Sequence, residues 1–174
     1  TGTISKAFCD SIRYSKEGKL VAVASRSSKN LKHFSDKYGV ATYDSYEALI
    51  DDSSIDAIYI GTPHSSHFDL SLKTLRCGKH LLCEKPMTMN STEAMILLNE
   101  ARRFNLFFME AFMYRCHPLT HKMLELVKQE FSGQEVLIES SFGFTADVDE
   151  KHRLKNPELG GGSILDIGCY PLSM

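Results

Sequence analysis

The stretch Lys79-His80-Leu81-Leu82-Cys83-Glu84-Lys85-Pro86-Met87 decides the fold of this chain. Its apolar middle, residues 80–83, predicts a short buried strand that runs directly into a charged pair. Pro86 lacks a backbone donor and keeps Lys85 out of the helical region, so the strand ends there. Ligands of open α/β sheets bind at the carboxyl ends of the strands. We therefore expect Lys85 at a functional edge, although a solvated ion pair would leave the same pattern.

Apolar runs alternate with helical stretches over the first two thirds of the chain. The predicted strands cover residues 20–24, 55–60, 80–83 and 106–111, and the predicted helices cover 4–14, 27–38, 46–50, 68–77 and 90–104. We expect Ser27 and Asn90 to cap two of these helices, with Glu93 bonding back to Asn90. Such alternation is typical of right-handed βαβ units in a parallel sheet that is covered on both faces.

The alternation of predicted strands and helices ends after residue 111. A helix is predicted over 117–131, and residues 136–144 then alternate apolar and polar side chains, which is typical of a half-exposed antiparallel sheet. The sequence therefore predicts two domains: a dinucleotide-binding domain over 1–114 and a second domain over 115–174 that is unfinished at its carboxyl end.

Composition argues against two classes of partner. The formal net charge is −2 and the pI is about 6.4, so neither nucleic acid nor an anionic membrane is expected to bind. No apolar run approaches the roughly 20 residues of a membrane span. The five cysteines are dispersed without a CxxC pair, which predicts buried free thiols and a cytoplasmic location. His117 and His121 lack a third ligand, so no metal site is predicted.

The amino end carries part of a dinucleotide fingerprint. The chain opens Thr1-Gly2-Thr3-Ile4-Ser5 and passes straight into a predicted helix. Gly2 and Ser5 fit the second and third small positions of G-x-G-x-x-G/A, and the first glycine with its strand would lie before Thr1. We therefore expect a fragment that begins inside a phosphate loop, with Gly2, Thr3, Ile4 and Ser5 near the cofactor phosphates.

The end of the next strand predicts the choice of cofactor. An NAD-binding chain places a carboxylate there for the ribose 2′-hydroxyl. This chain has Ser25 and Arg26 instead. A hydroxyl and a guanidinium suit a 2′-phosphate, so NADP is favoured over NAD. The alternative is a capped helix beside a solvated arginine.

Four motifs in order resemble the Gfo/Idh/MocA oxidoreductases, and the resemblance extends over essentially the whole chain. They are Gly61-Thr62-Pro63-His64-Ser65-Ser66-His67, Glu84-Lys85-Pro86, Glu110-Ala111-Phe112-Met113-Tyr114-Arg115 and Gly160-Gly161-Gly162-Ser163-Ile164-Leu165-Asp166-Ile167-Gly168. Within that family the chain looks most like the branch of NADP-dependent dihydrodiol and D-xylose dehydrogenases. Many members carry histidine four residues after the aspartate, whereas this chain has Tyr170, as that branch does.

The resemblance implies a Rossmann-type parallel sheet, here without its first strand, followed by a truncated α/β substrate domain with an open, mainly antiparallel sheet. It implies hydride transfer between NADP and a sugar or cyclic diol, and a homo-oligomer built on the second domain's sheet. Family members are about twice as long as this chain. The resemblance also implies a role for single residues. Lys85 would be the catalytic lysine, and Arg115 would approach the substrate. The cofactor would be contacted at its phosphates by Gly2 and Ser5, on its nicotinamide side by Thr62, Pro63 and His67, and near its ribose by Glu84.

Asp166 and Tyr170 are four residues apart on a predicted helix and share a face. Oxidising an alcohol requires a base for the hydroxyl proton. Either Tyr170 is that base, as a phenolate favoured by Lys85, or Lys85 carries the proton and Tyr170 only binds the substrate hydroxyl. Asp166 would orient Lys85 or a substrate hydroxyl. Two other functions stay open: a sensor that binds the dinucleotide without turnover, and an NAD-dependent glycosidase of the same family.

Overall fold

The computed structural model describes residues 2–131 and 137–174 of the chain. The helices are α1 (Thr3–Ile12), α2 (Ser28–Tyr38), α3 (Tyr46–Asp51), α4 (His67–Arg76), α5 (Ser91–Arg103), α6 (Pro118–Phe131) and α7 (Cys169–Ser173). The strands are β1 (Ala22–Ala24), β2 (Ala41–Tyr43), β3 (Ala57–Ile60), β4 (His80–Cys83) and β5 (Phe108–Glu110). Short 3₁₀ turns cover His64–Ser66, Met113–Cys116 and Pro157–Leu159, and a π-helical turn covers Ile164–Gly168.

All strand pairs described are parallel, as the alternation of strands and helices predicted. One sheet has the order β1-β2 and the other β3-β4-β5. In the second sheet, Cys83 pairs with Ile60 on one side and with Glu110 on the other, so three strands end together beside Lys85. Strand β2 was not predicted, because its three residues, Ala41-Thr42-Tyr43, give too short an apolar signal.

A gap separates the two sheets. Their facing edges, β1 and β3, line a cavity of about 710 Å³ with mostly apolar walls. Neighbouring strands of a continuous sheet lie about 4.8 Å apart and share backbone hydrogen bonds. No strand within the described residues pairs with the inner edge of β1 or of β3. The gap therefore lies where the sequence predicted the missing first strand.

Two apolar clusters form the core, and capping side chains fix the helices around them. The larger cluster packs β3, β4, α4 and α5 around the fully buried Leu75, Leu81 and Leu97. The smaller one joins Cys9, Val23 and Phe34. The predicted caps are confirmed, because Ser27 accepts from the Asn30 amide and Asn90 from the Glu93 amide. The carboxylate of Glu93, however, bonds the Met89 amide rather than that of Asn90.

The predicted antiparallel sheet of the second domain is wrong for the residues that the structure describes. Residues 137–149 carry no strand, and Val136 of the alternating segment lies outside the described residues. The apolar side chains of this segment are exposed, including Leu137 at 86% and Ile138 at 70%. An alternating pattern forms a ladder only with a neighbouring strand, and the described residues provide none here.

The cysteines are free, as predicted, but only Cys9 and Cys83 are buried; Cys77 and Cys116 are exposed. Within the described ranges no helix has the length and apolarity that crossing a membrane requires. The same ranges hold no group of three or more His, Cys, Asp or Glu side chains placed to bind a metal ion.

Candidate active site

Lys85 lies directly after β4, at the carboxyl edge of the second sheet. Its Nζ donates to the backbone carbonyl of Asp166 and lies 3.4 Å from Oδ1 of the same residue. The side chains of Lys85 and Asp166 are only 14% and 11% exposed. The structure thus brings together two residues that are 81 positions apart in the sequence, and it replaces the solvated ion pair with a largely buried one.

The turn after Lys85 is held by three side chains. Glu84 accepts the Lys85 amide at 3.3 Å, and Glu110 accepts the Met87 amide at 2.8 Å. The fully buried His67 bridges the chain, with Nδ1 2.8 Å from the Pro86 carbonyl and Nε2 2.9 Å from the Thr62 carbonyl. His67 was expected on the nicotinamide side of the cofactor. Both of its ring nitrogens instead contact backbone, so its side chain supports the loop.

Glu84, the predicted ribose ligand, is fixed by a tyrosine of the adjacent strand. The Tyr59 hydroxyl donates to Glu84 Oε1 at 2.7 Å. The Tyr59 ring stacks on Phe8 of α1, with centroids 4.0 Å apart. Burial, followed by the hydrogen bond to Glu84, raises the pKa of Tyr59 far above its ordinary value. Tyr59 therefore stays a neutral donor and orients the carboxylate.

Asp166 contacts a second cation that the sequence did not single out. Nη1 of Arg153 lies 3.2 Å from Asp166 Oδ1, the same oxygen that faces Lys85. Burial alone would raise the pKa of Asp166. Lys85 and Arg153 together outweigh that effect and hold the pKa of this carboxyl below its ordinary value. The carboxylate is therefore ionised at neutral pH.

Tyr170 lies beside Lys85 in a group of aromatic rings. Lys85 Nζ is 5.1 Å from its ring centroid, and the Phe112 and Phe142 centroids are 5.3 and 5.4 Å from it. Burial raises the pKa of Tyr170, and the nearby Glu84, among other acidic groups, adds to the rise. The sequence argument had Lys85 favour a phenolate, whereas these surroundings favour the neutral phenol.

A compact loop carries Arg153 and leads to Asp166. The amides of Gly161 and Gly162 donate to the carbonyls of Asn156 and Leu154, so the loop closes on itself. A Cβ on Gly161 would lie 2.6 Å from the backbone carbon of Lys155, which leaves no room for a side chain. The π-helical turn begins directly after this loop, and such turns are frequent at functional sites.

The same loop docks on the turn that follows β3. His64 is buried, and its Nδ1 lies 3.1 Å from the carbonyl oxygen of Gly160. Gly160 has a φ of +75°, and a Cβ there would lie 2.8 Å from the Cβ of His64. Burial lowers the pKa of His64, so its ring is neutral and Nδ1–H donates to Gly160.

The amino end of α1 lies beside the loop that contains Thr62 and Pro63. The hydroxyl of Ser5 contacts the Gly61 carbonyl at 3.5 Å, and a Cβ on Gly61 would lie 2.9 Å from that hydroxyl. Gly2 is the exposed N-cap and Thr3 and Ile4 begin the first turn, which holds no acidic residue. A Cβ added at Gly2 would meet nothing within 4 Å.

Ser25 and Arg26 follow β1, as expected, but they differ in exposure. Ser25 is 5% exposed, and its hydroxyl accepts the Ser27 amide at 3.2 Å. Arg26 is exposed. The hydroxyl therefore supports the start of α2, and the guanidinium is the group that faces outward.

Arg115, the predicted substrate residue, makes contacts within the protein. Its Nη2 donates to the Ser173 carbonyl at 2.9 Å, and its guanidinium carbon lies 5.5 Å from the ring centroid of Phe112. It thus ties the 3₁₀ turn after β5 to α7, next to Tyr170.

The sequence of the chain matches the model of a known family. The model of the Gfo/Idh/MocA oxidoreductase family, with its NAD-binding Rossmann fold, matches residues 1–112. The chain belongs to this family.

Named relatives and solved structures extend the match beyond residue 112. The chain is 40% identical to a trans-1,2-dihydrobenzene-1,2-diol dehydrogenase of Xenopus tropicalis, over 87% of this chain and 46% of that protein. It is 39% identical to an NADP(+) D-xylose 1-dehydrogenase of Haloferax volcanii, over 90% and 48%. An NAD-binding protein from Listeria innocua has a TM-score of 0.79 at 28% identity, covering 98% of this chain and 50% of that one. The chain spans about half the length of these relatives.

The family motifs identified Lys85, Asp166 and Tyr170, but the residues that hold them were missed. Tyr59 was counted only as a strand residue, and Glu110 and His64 only as letters of a motif. Arg153 lies in a polar loop with no helical or strand periodicity, so the sequence carried no local signal for it. Each of these contacts joins residues far apart in the chain, which periodicity does not report.

Proposed function

We propose that this Gfo/Idh/MocA chain is part of an NADP-dependent dehydrogenase that oxidises a hydroxyl group of a sugar or a cyclic diol. One observation carries the proposal: Lys85, Asp166 and Tyr170 meet at the carboxyl edge of the parallel sheet. That edge is where α/β proteins bind ligands, and the three groups can hold a hydroxyl and move its proton.

The residues present fit a dinucleotide phosphate. Gly2 gives α1 no side-chain cap, and the first turn of the helix holds no acidic residue. The helix has ten residues, and the positive pole of its dipole lies at this end. The open space at Gly2 leaves room for a phosphate group against the backbone. Arg26 is exposed after β1, where no carboxylate competes for the ribose, and so supports NADP over NAD.

Bound NADP would supply the hydride acceptor. Lys85 would accept the hydroxyl proton while Asp166 fixes the direction of its side chain. The raised pKa of Tyr170 keeps it a phenol, which suits a donor to the substrate oxygen better than a base. Of the two assignments that the sequence left open, this environment therefore favours Lys85 as the proton carrier.

The relatives named for a dihydrodiol and for D-xylose support a ring-shaped alcohol as substrate. Phe112, Phe142 and Tyr114 around Tyr170 add an aromatic wall, against which the apolar face of such a ring can pack. The free cysteines support a cytoplasmic location. The family supports a homo-oligomer, a dimer or a tetramer, for the full-length protein.

The test is a substrate screen of the full-length protein that follows NADPH absorbance, with D-xylose, D-glucose, myo-inositol and a cyclic trans-diol. Reduction of NADP with at least one of these is expected, and Lys85→Met should abolish it while cofactor binding survives. A protein that binds NADP without reducing it would be a sensor. One that hydrolyses glycosides with tightly held NAD would be a glycosidase.

A further inference from the structure

We propose that Arg153 is a positioning residue of this site, which holds the carboxylate of Asp166 and thereby sets the pH at which Lys85 can accept the substrate proton. The inference rests on the proposed dehydrogenase function. It adds a residue that acts through Asp166 and requires no contact with the substrate.

The contacts place Arg153 in the same charge cluster as Lys85. Asp166 Oδ1 lies 3.2 Å from Arg153 Nη1 and 3.4 Å from Lys85 Nζ. The two cationic nitrogens share one oxygen atom, so they are at most about 6.6 Å apart, which is the sum of these two contacts. A carboxylate that is paired with two cations is ionised, and it cannot fully neutralise either of them.

Backbone hydrogen bonds hold the loop that brings Arg153 to Asp166. Arg153 lies in the segment that closes on itself through the Gly161 and Gly162 amides, and the Gly160 carbonyl anchors that segment on His64. The Asp166 amide in turn donates to the Gly162 carbonyl at 3.2 Å. Backbone geometry therefore positions Arg153 and Asp166 relative to each other, although they are 13 positions apart in the sequence.

Charge explains what the second cation does. Once Lys85 has taken the proton, Lys85, Arg153 and Asp166 together carry one net positive charge, which stabilises the negative oxygen left on the substrate. Without Arg153, no second cation would offset the attraction between the Asp166 carboxylate and the ammonium form of Lys85. Oxidation near neutral pH would then slow, because fewer molecules would carry a lysine ready to accept a proton.

Other charged or titratable groups near the cluster are few in the part of the chain that the structure describes. Glu84 faces it from the end of β4, His64 from the turn after β3, and Tyr170 with Cys169 from α7. Glu84 is held by Tyr59, and His64 is neutral. Arg153 is therefore the one described cation besides Lys85 that contacts Asp166 directly.

The first experiment is the pH profile of kcat for alcohol oxidation by the full-length protein. Arg153→Gln should move the rising midpoint to higher pH by about half to one unit, since Arg153 is half-exposed and partly screened. It should lower kcat near neutral pH several-fold and leave the KM for NADP within twofold. Arg153→Lys keeps the charge and should restore most of the midpoint.

Lys155→Gln is the matched control. Lys155 lies on the same loop and pairs with Glu150 at 3.1 Å on the surface, so its removal changes the same charge away from Asp166. Its profile should match that of the wild type. An Arg153→Gln enzyme whose kcat falls at every pH with an unmoved midpoint would show a merely structural role and overturn the proposal.

The second experiment does not depend on activity. Carboxyl ¹³C NMR, with the Asp166 signal assigned from Asp166→Asn, should show that Asp166 titrates at higher pH in Arg153→Gln than in the wild type. An unchanged titration overturns the proposal. If no alcohol is oxidised but Asp166 shifts as expected, the proposed function fails while the coupling of Arg153 to Asp166 stands.

Discussion

Asp166→Asn should destabilise the protein more than removing either of its two cationic partners. At an effective dielectric of about 20, charges 3.4 and 3.2 Å apart attract by about 5 kcal/mol each, and desolvation offsets most of this. The asparagine variant leaves Lys85 and Arg153 facing each other with no carboxylate between them. Loss of one partner from a largely buried pair costs about 3–5 kcal/mol.

The lysine variant keeps one ion pair. In Lys85→Met, Asp166 still bonds Arg153, so the expected loss is about 1.5–3 kcal/mol, the worth of a hydrogen bond to a charged group. In Arg153→Gln, Asp166 still bonds the buried Lys85, and the half-exposed guanidinium is screened, so about 0.2–1 kcal/mol is expected. The predicted order of destabilisation is therefore Asp166→Asn, then Lys85→Met, then Arg153→Gln.

Urea unfolding of the full-length protein, followed by circular dichroism, measures this order through the transition midpoint at constant m-value. Lys155→Gln is the control for removing a loop cation, and it should leave the midpoint unchanged. A Lys85→Met variant that is as unstable as Asp166→Asn would refute the reasoning, since it would mean that Arg153 does not hold the carboxylate when Lys85 is gone.

Three further predictions follow from the site. Tyr170→Phe should mainly raise the KM for the alcohol, by the roughly 0.5–1.5 kcal/mol of one hydrogen bond, whereas a hundredfold fall in turnover would make Tyr170 the base. Arg26→Ala should weaken NADP binding by about 1.5–3 kcal/mol in a calorimetric titration and barely affect NAD; equal losses would mean that Arg26 only supports its loop. Because the pKa of Asp166 is lowered in the folded protein, its stabilising effect is present above its unfolded pKa of about 3.9 and is lost as pH falls through the lower folded value. Asp166→Asn should therefore remove part of the acid-induced loss of stability below pH of about 4, and an identical acid profile would contradict this pairing.

The sequence predicted the parallel part of the fold because its signals there are local. Strand β4 was placed at its observed bounds, since Pro86 and the charged pair end an apolar run without ambiguity. Ser27 and Asn90 cap two helices with their own side chains, which accept from backbone amides three residues on. These features depend on neighbours a few residues away, which a linear pattern contains.

The misses concern partners that are distant in sequence. The alternation at 137–144 reports a tendency to form strands but cannot say whether a neighbouring strand exists. The role of Arg153 could be recognised only from the fold, which places its loop against Asp166.

The two packing clusters of the core carry different groups of the candidate site. Ser25 and Arg26 follow β1 on the small core of Cys9, Val23 and Phe34, whereas Lys85 follows β4 on the larger core. The two clusters have no buried residue in common. Under the proposed function, substitutions around β1 would change the preference between NADP and NAD with little effect on the packing around Lys85. The choice of nucleotide and the choice of alcohol would then evolve separately.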